Sequence, residues 1–403
     1  VSQRRLLKVA VPIALAVFAA ACGGSSGGSN GGGGGNKPTY TIGFQGPLSG
    51  GNQALGINEQ RGMHLAIKQA NAKGDLPFKL AFLDADDQGT GKGSPSAARK
   101  LIDGKVVAVV GPSFSGASNA AGPLFKQAGL LAVTPSATLP DVTKHGFTTF
   151  YRGVANDFAQ GPPDAKYLAN VVKAKKIFVI DDTSDYGKGL ADAFKGELNT
   201  SGKSSLMVGS DSGPQTAQCA PGSTGNTAQY PTLATKVASK NADAVFYGGY
   251  YCDLALLAKA LRNNGFKGTI MSGDGSKDQL YITQAGAKVA EGSYISCQCT
   301  EITKTAGAEQ FVTDYKADSG ADPGAYSAEA FDVTNSIISI MKGIGKDVTK
   351  ASLLAAYPNV DFKGLTKSYK FGPDHELATQ AAFLYKVQAA KLAFLGDLAD
   401  LTK

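Results

Sequence analysis

KIFVIDDTSDYGKGLADAF, Lys176 to Phe194, is the stretch whose reading decides the fold class. Ile177 to Ile180 is apolar without alternation, two aspartates and a polar turn follow, and an alanine-containing run of helical period begins near Gly187. A strand that is apolar on both faces and runs through a polar turn into a helix is the repeating unit of a covered parallel sheet; a half-exposed antiparallel strand would alternate. Working outward, the same unit recurs. On the amino-terminal side it appears as TYTIGFQG from Thr39, FKLAFLD from Phe78, VVAVVG from Val106 and LLAVTP from Leu130, with helices expected near 56–72, near 95–102 and after Gly116. From Asn156 the alternation restarts: a helix near 161–172 precedes KIFVID, and SLMVG, DAVFYGG and TIMSGDG alternate with helices near 187–199, 230–239, 254–263 and 277–285. The class is α/β, with two Rossmann-like lobes of parallel sheet.

Polar and glycine residues gather where these strands end: 46–50, 84–89, 111–118, 134–138, 181–187, 247–253 and 272–276. Open parallel sheets bind ligands beyond the carboxyl ends of their strands, so two such lobes point to a cleft between them. GPSFSGAS, Gly111 to Ser118, joins a strand to a helix; Ser113, Ser115 and Ser118 can cap that helix or, with its unpaired N–H groups, hold a carboxylate. Tyr186 is an aromatic presented at a strand–helix turn. Tyr247, Tyr250 and Tyr251 flank a glycine pair and either wall a pocket or pack. Asp274 in SGDGS either orders its turn or faces a ligand.

The chain opens with Arg4, Arg5 and Lys8, an apolar run from Val9 to Ala21 and then Cys22, the order of a secretory signal with a lipoprotein-type cleavage site. Residues 1–21 are expected to be removed and Cys22 lipidated. Gly23 to Asn36 contains only Gly, Ser and Asn, a flexible tether with a reach of roughly 20 Å; it belongs to a linker over residues 22–39. Apolar content of 43% with 18% charged residues is that of a globular chain with a large core. The net charge of +7 falls by three, to +4, without the leader, and no basic block remains to bind nucleic acid. His64, His145 and His375 have no metal-ligand spacing, so neither metal nor cofactor is expected. GPSFSGAS lacks the final glycine of a nucleophile elbow and a histidine to serve it, and GTGKGS, Gly89 to Ser94, lacks the first glycine of a phosphate loop. Catalysis by a secreted α/β enzyme therefore has no residues to carry it. Cys219, Cys252, Cys297 and Cys299 make an even set in an oxidising setting, open to three pairings. Two cysteines of a CxC on one strand stand nearly 7 Å apart, which strains a direct bridge.

Taken together, these segments resemble the leucine-isoleucine-valine-binding proteins, the exported solute receptors of amino-acid ABC transporters. The resemblance runs from about Tyr40 to Lys386 through IGFQGPLSG (42–50), GPSFSGAS (111–118), AVTPSATLPDVT (132–143), Tyr151 and NDFAQGPPDAKYL (156–168), IDDTSDYGKGLADAF (180–194) and AVFYGGYYCDLALLAKALRNNG (244–265). It implies the type I periplasmic-binding fold, with lobe 1 over 40–156 and 298–381, lobe 2 over 157–297 and 382–403, and a multi-strand hinge. It implies that Ser115 and Thr138 hold a ligand carboxylate beside Ser136 and Ala137. Backbone oxygen of that turn and Asp274 would receive the ammonium, Tyr186 and Tyr250 would close from the second lobe, and Leu55 would cover the side chain. Family members often carry Glu where Asp274 stands and an aromatic where Leu55 stands. The implied function is a monomeric, lipid-anchored receptor outside the cell membrane that binds an apolar, branched-chain amino acid and passes it to permease subunits of an ABC transporter. An amide, urea or aromatic-acid receptor is the alternative on the same fold. The insertion around 219–227 departs from the family pattern, and Cys219 is expected to pair with Cys252 across it.

Overall fold

The computed structural model describes residues 37–216 and 227–403; Cys22 and Cys219, with the expectations that rest on them, lie outside the described residues. Five strands build the first sheet: β1 (Thr39–Gly46), β2 (Lys79–Asp86), β3 (Ala108–Val110), β4 (Leu131–Thr134) and β5 (Phe150–Arg152), in the order β2-β1-β3-β4-β5. All their pairings are parallel. Helices α1 (Gln53–Lys73), α2 (Ser94–Asp103) and α3 (Ser115–Gln127) connect the first four. Successive residues of a strand point to opposite faces, and the core divides accordingly. Ala108, Val110, Leu131 and Val133 pack with Met63 and Ile67 of α1. Val109 and Ala132 pack on the other face with Ala98, Leu101 and Phe125 of α2 and α3. Both faces are covered, which is why these strands read as unbroken apolar runs.

The second sheet holds β6 (Ile177–Asp181), β7 (Met207–Ser212), β8 (Ala244–Gly248), β9 (Thr269–Ser272) and β10 (Tyr294–Cys297), with α4 (Gly161–Lys166), α5 (Asp185–Thr200), α6 (Gln229–Ser239), α7 (Tyr251–Asn263), α8 (Gln279–Ala285) and α9 (Ala287–Ala290) between and around them. After β10 the chain forms α10 (Glu309–Ser319), α11 (Ser327–Ile344), α12 (Lys350–Ala356) and a small antiparallel pair, β11 (Phe362–Lys363) with β12 (Ser368–Tyr369). Val333 and Ile337 of α11 join the core of the first sheet beside α1. The chain then returns to the second sheet as β13 (Phe383–Gln388) and β14 (Lys391–Asp397), giving the order β14-β13-β10-β9-β8-β6-β7. Where one C-terminal strand was expected there is a hairpin, and it pairs antiparallel, so this sheet is mixed. Two residues, Ala389 and Ala390, both with positive φ, make the turn, the backbone a tight hairpin demands even where no glycine announces it.

The chain thus passes between the sheets three times, after β5, after β10 and before β13. The second passage carries the cysteines. Contrary to the expectation of strain, Cys297 and Cys299 are bonded to each other, with Cα atoms 5.1 Å apart. Only Cys297 belongs to β10; the chain bends at Gln298 and Cys299, which shortens the strand spacing into the range a disulfide spans. Cys252 is also disulfide-bonded. No helix among the described residues is long and apolar enough to cross a membrane.

Candidate functional site

The first-lobe side of the site is built where β3 and β4 end. Gly111, at φ 119°, lies so close to β1 that a Cβ would sit 2.3 Å from the Gln45 carbonyl oxygen, so only glycine lets the chain turn there. The turn delivers Ser113 and the extended Phe114 to the start of α3, whose first residue is Ser115. Ser115 Oγ accepts from the Leu139 N–H at 3.2 Å, which leaves its own proton to donate. Ser136 Oγ donates to the Ser113 carbonyl at 2.7 Å and so faces the site as an acceptor. Thr134 Oγ1 ties the two loops, donating to the Pro112 carbonyl at 2.7 Å and accepting from the Ala137 N–H at 2.9 Å. Below the turn lies Arg152, fully buried, whose guanidinium donates to the carbonyls of Ala137 and Leu139 and pairs with Glu376 at 2.9 Å.

The second-lobe side comes from α5, the β9 end and the α7 start. Ser184 caps α5 by accepting from the Gly187 N–H at 2.9 Å, which sets Tyr186 in the first turn. The Tyr186 hydroxyl donates to Asp274 Oδ1 at 2.8 Å and accepts from the Gly275 N–H at 2.9 Å. Gly275 is required: a Cβ there would sit 2.7 Å from the Tyr186 ring and 2.9 Å from Tyr250. Tyr250, the residue before α7, stacks on Phe114 of the first lobe with ring centroids 4.4 Å apart. Tyr326, at φ 64° just before α11, donates to Asp274 Oδ2 at 2.8 Å. Asp274 is therefore gripped from both lobes. Two further bonds join them, Asn119 Nδ2 to Asp185 Oδ2 at 2.7 Å and the Tyr251 hydroxyl to the Gly51 carbonyl at 2.7 Å. The lobes are closed on each other.

A tight cavity, with an accessible volume of only about 10 Å³ in this closed form, lies between these walls, lined by Leu55, Glu59, Ser113, Phe114, Ser115, Ser136, Tyr186, Tyr250, Asp274, Gly275 and Tyr326. Of the residues nominated from sequence, Leu55, Ser115, Ser136, Tyr186, Tyr250 and Asp274 come together there. Ala137 and Thr138 do not line it. Ala137 spends its N–H on Thr134 and its carbonyl on Arg152; the Thr138 carbonyl accepts from the Asp157 N–H at 3.0 Å, and its hydroxyl stands beside the Asp157 carboxyl. A larger groove of about 690 Å³ between Leu139–His145 and α5 is open to solvent, so a charged ligand there would stay hydrated.

The acids of the closed site are set by desolvation. Burial raises Asp274 to about 6 against the pull of its two tyrosine hydrogen bonds, leaving it ionised at neutral pH. Burial raises Glu59 and Asp157 each to about 8 and Asp164 well above the carboxylate range. Asp164 accepts from Ser296 Oγ at 2.8 Å, and that hydroxyl accepts from Gln160 Nε2 at 2.8 Å. Among the described residues no group of three or more His, Cys, Asp or Glu is placed to hold a metal ion. The enclosed chemistry is a hydroxyl and a helix start on one wall and an ionised carboxylate on the other, with aromatic rings between.

Glu59 and Tyr326 were not among the residues read from sequence. Glu59 had a signal, since it falls on the buried stripe of α1 with Leu55 and Met63 at four-residue spacing. Tyr326 had none beyond its position after a Pro-Gly turn; it reaches the cavity because α11 packs on α1.

The chain is similar to several known binding proteins. It is 30% identical over 354 residues to the Leu/Ile/Val-binding protein BraC3 of Rhizobium johnstonii, covering 87% of this chain and 92% of that protein. It is 30% identical over 322 residues to an amino acid binding protein of Pseudomonas aeruginosa, covering 77% and 80%. Among solved structures, the branched-chain amino acid transporter substrate binding protein LivJ of Streptococcus pneumoniae, in complex with isoleucine, superposes with a TM-score of 0.78 at 26% identity, over 89% of this chain and 99% of LivJ. The leucine binding protein LivK of Thermotoga maritima shares the fold, with a TM-score of 0.77 at 23% identity over 89% and 98%. The periplasmic binding protein family matches residues 39–391, and with relatives of that identity and coverage the chain belongs to this family, among its leucine-isoleucine-valine-binding proteins.

Proposed function

We propose that this protein is an extracytoplasmic receptor that captures an apolar, branched-chain amino acid between its lobes and delivers it to the permease of an ABC transporter. One observation carries the reading: a closed cavity sets the Ser115 hydroxyl at the start of α3 opposite the buried, ionised Asp274. A zwitterion would place its carboxylate at the first and its ammonium at the second. Each such charge-assisted bond is worth about 1.5–3 kcal/mol, and a micromolar ligand needs about 8 kcal/mol, which a few of them plus apolar burial reach. Ser136, accepting at its hydroxyl, adds a second partner for the ammonium. Leu55, Phe114 and Tyr250 supply the apolar surface for the side chain. Ligand contacts divided between lobes favour the closed form only when the ligand is present.

In this reading the receptor performs no chemistry on its ligand and uses no cofactor. It acts as a monomer, with lobe 1 over 40–156 and 298–381 and lobe 2 over 157–297 and 382–403. A lipid on Cys22 holds it at the outer face of the cell membrane, and a Cys219–Cys252 disulfide pins the insertion beside Tyr250. The test is titration calorimetry on protein unfolded and refolded to strip carried-over ligand, with leucine, isoleucine, valine, phenylalanine and a simple amide. Saturable binding of a branched-chain amino acid is expected. Binding of the amide alone would keep the fold and discard the amino-acid assignment.

A further inference from the structure

Asp157 and Asp164 are buried within reach of the charge of Asp274. Burial raises both, and the charge of Asp274 adds to the rise, so one negative charge in this place makes a second costly. Side-chain donors decide which of the three acids holds it. Asp157 has the Thr138 hydroxyl, and Asp164 has Ser296 Oγ at 2.8 Å. Asp274 has three donors: the phenols of Tyr186 and Tyr326, each at 2.8 Å, and the side-chain amide of Gln160. Gln160 is fully buried just before α4, and its Nε2 also donates to Ser296 Oγ of β10 at 2.8 Å. An ionised carboxylate only accepts, so the nitrogen end of the amide faces Asp274 and its two N–H groups serve both partners. The fit is close: a Cβ on Gly273 would stand 3.0 Å from the same nitrogen. Since α4 follows the first passage between the sheets and β10 precedes the second, Gln160 ties Asp274 to the segments that flank the hinge.

Resting on the amino-acid reading above, we propose that Gln160 is a positioning residue for ligand capture, whose amide fixes the Asp274 carboxylate against Ser296 and keeps it the charged member of the three acids, ready for the ligand's ammonium. Gln160 does not line the cavity, so it acts through Asp274. Tyr326 stands on the first lobe and leaves Asp274 when the lobes part; Tyr186 and Gln160 belong to the second lobe and stay with it. The titratable groups that share this setting are Asp157 and Asp164, which burial keeps neutral at pH 6, and Tyr186, Tyr250 and Tyr326, whose phenols burial pushes further up. Asp274 is therefore the group whose charge changes near pH 6. A donor lost from a carboxylate favours its protonated form, so without Gln160 the pH below which affinity falls moves up.

The test is calorimetry of leucine, isoleucine and valine between pH 5 and 8.5 on the wild type, Gln160→Met and Ser296→Ala, all stripped of carried-over ligand. Wild-type affinity should fall below about pH 6. Gln160→Met, similar in length but without a donor, should move that point up by about one pH unit, as expected for one hydrogen bond to a charged group. Its binding should then be about fivefold weaker than wild type at pH 6 and close to wild type at pH 8.5. Ser296→Ala, which leaves the amide but removes its anchor, should move the point the same way by less. An unchanged profile, or a loss equal at every pH, overturns the proposal, since a merely structural role would not move the midpoint. If Gln160→Met does not fold, Ser296→Ala decides, and an unmoved midpoint there overturns it. Those failures leave the amino-acid reading standing. A wild type that binds none of the three amino acids removes that reading and this proposal together.

Discussion

The two walls of the cavity solve opposite electrostatic problems with different materials. The first-lobe wall is made of hydroxyls and backbone at loop–helix junctions, stiffened from beneath by the guanidinium of Arg152. The second-lobe wall is a single carboxylate, Asp274, held by phenols, one from each lobe. The first wall gathers many weak, neutral dipoles around a place for negative charge; the second concentrates one full charge in a buried setting. The lesson is an asymmetry of consequence. A hydroxyl can be lost from the first wall and its neighbours still work, whereas the second wall depends on one side chain.

The largest effect should come from the support of the first wall. Arg152→Met would leave Glu376 half-buried and unpaired and free the carbonyls of Ala137 and Leu139. Removing one partner of a buried pair costs about 3–5 kcal/mol of stability, to be read from denaturant melts; an unchanged midpoint would show that the turn holds itself. Next is the charge of the second wall. Asp274→Asn keeps the shape and removes the ionised acceptor, and binding of a branched-chain amino acid should weaken by about 2–3 kcal/mol, some 30- to 150-fold. A smaller loss than for any first-wall hydroxyl would invert the comparison.

The third prediction sharpens the contrast by pH. Asp274 has a folded pKa of about 6, so affinity should fall about tenfold per pH unit below that value as the acceptor is protonated. Stability of the ligand-free protein should run the other way. Burial raises Asp274 to about 6 and Glu59 and Asp157 to about 8 in the folded state, above their unfolded values. The folded protein therefore holds more protons, and their contribution, complete below the unfolded values near 4, is lost as pH rises through 6 and then 8. Melting and calorimetry across pH 4 to 9 would show the two trends crossing; parallel trends would mean that the acids are not desolvated. The smallest effect is Ser115→Ala. It removes one hydroxyl donor to the ligand carboxylate, costing about 1.5 kcal/mol, or roughly tenfold in affinity, with no change in the pH profile.

Much of this architecture was legible along the chain. TYTIGFQG is β1 from its first residue to its last, and the apolar runs at 177–181 and 244–248 are central strands. The reason is local: a strand covered on both faces can be nothing but apolar, and the period of a helix face is imposed by the residues a turn away. The polar strand ends marked the cleft for the same reason, since a buried polar side chain needs a partner and most of them stand where the covered run stops. The C-terminal hairpin was less legible because its turn is made by alanines, and the Cys297–Cys299 bridge was misjudged because a strand spacing was applied where the chain bends.

The sequence by itself determined which residues are buried, where strands end and which polar side chains stand at those ends, because periodicity and turn chemistry act over a few residues. Only the tertiary structure decided what each polar atom is free to do. Ser115 keeps its proton because Leu139 donates to it, and Ser136 becomes an acceptor because the Ser113 carbonyl takes its proton. Asp274 meets Tyr326 because α11 returns to α1 across the hinge. Hydrogen-bond capacity is used up by partners that only folding brings near, and what remains unused is what can recognise a ligand.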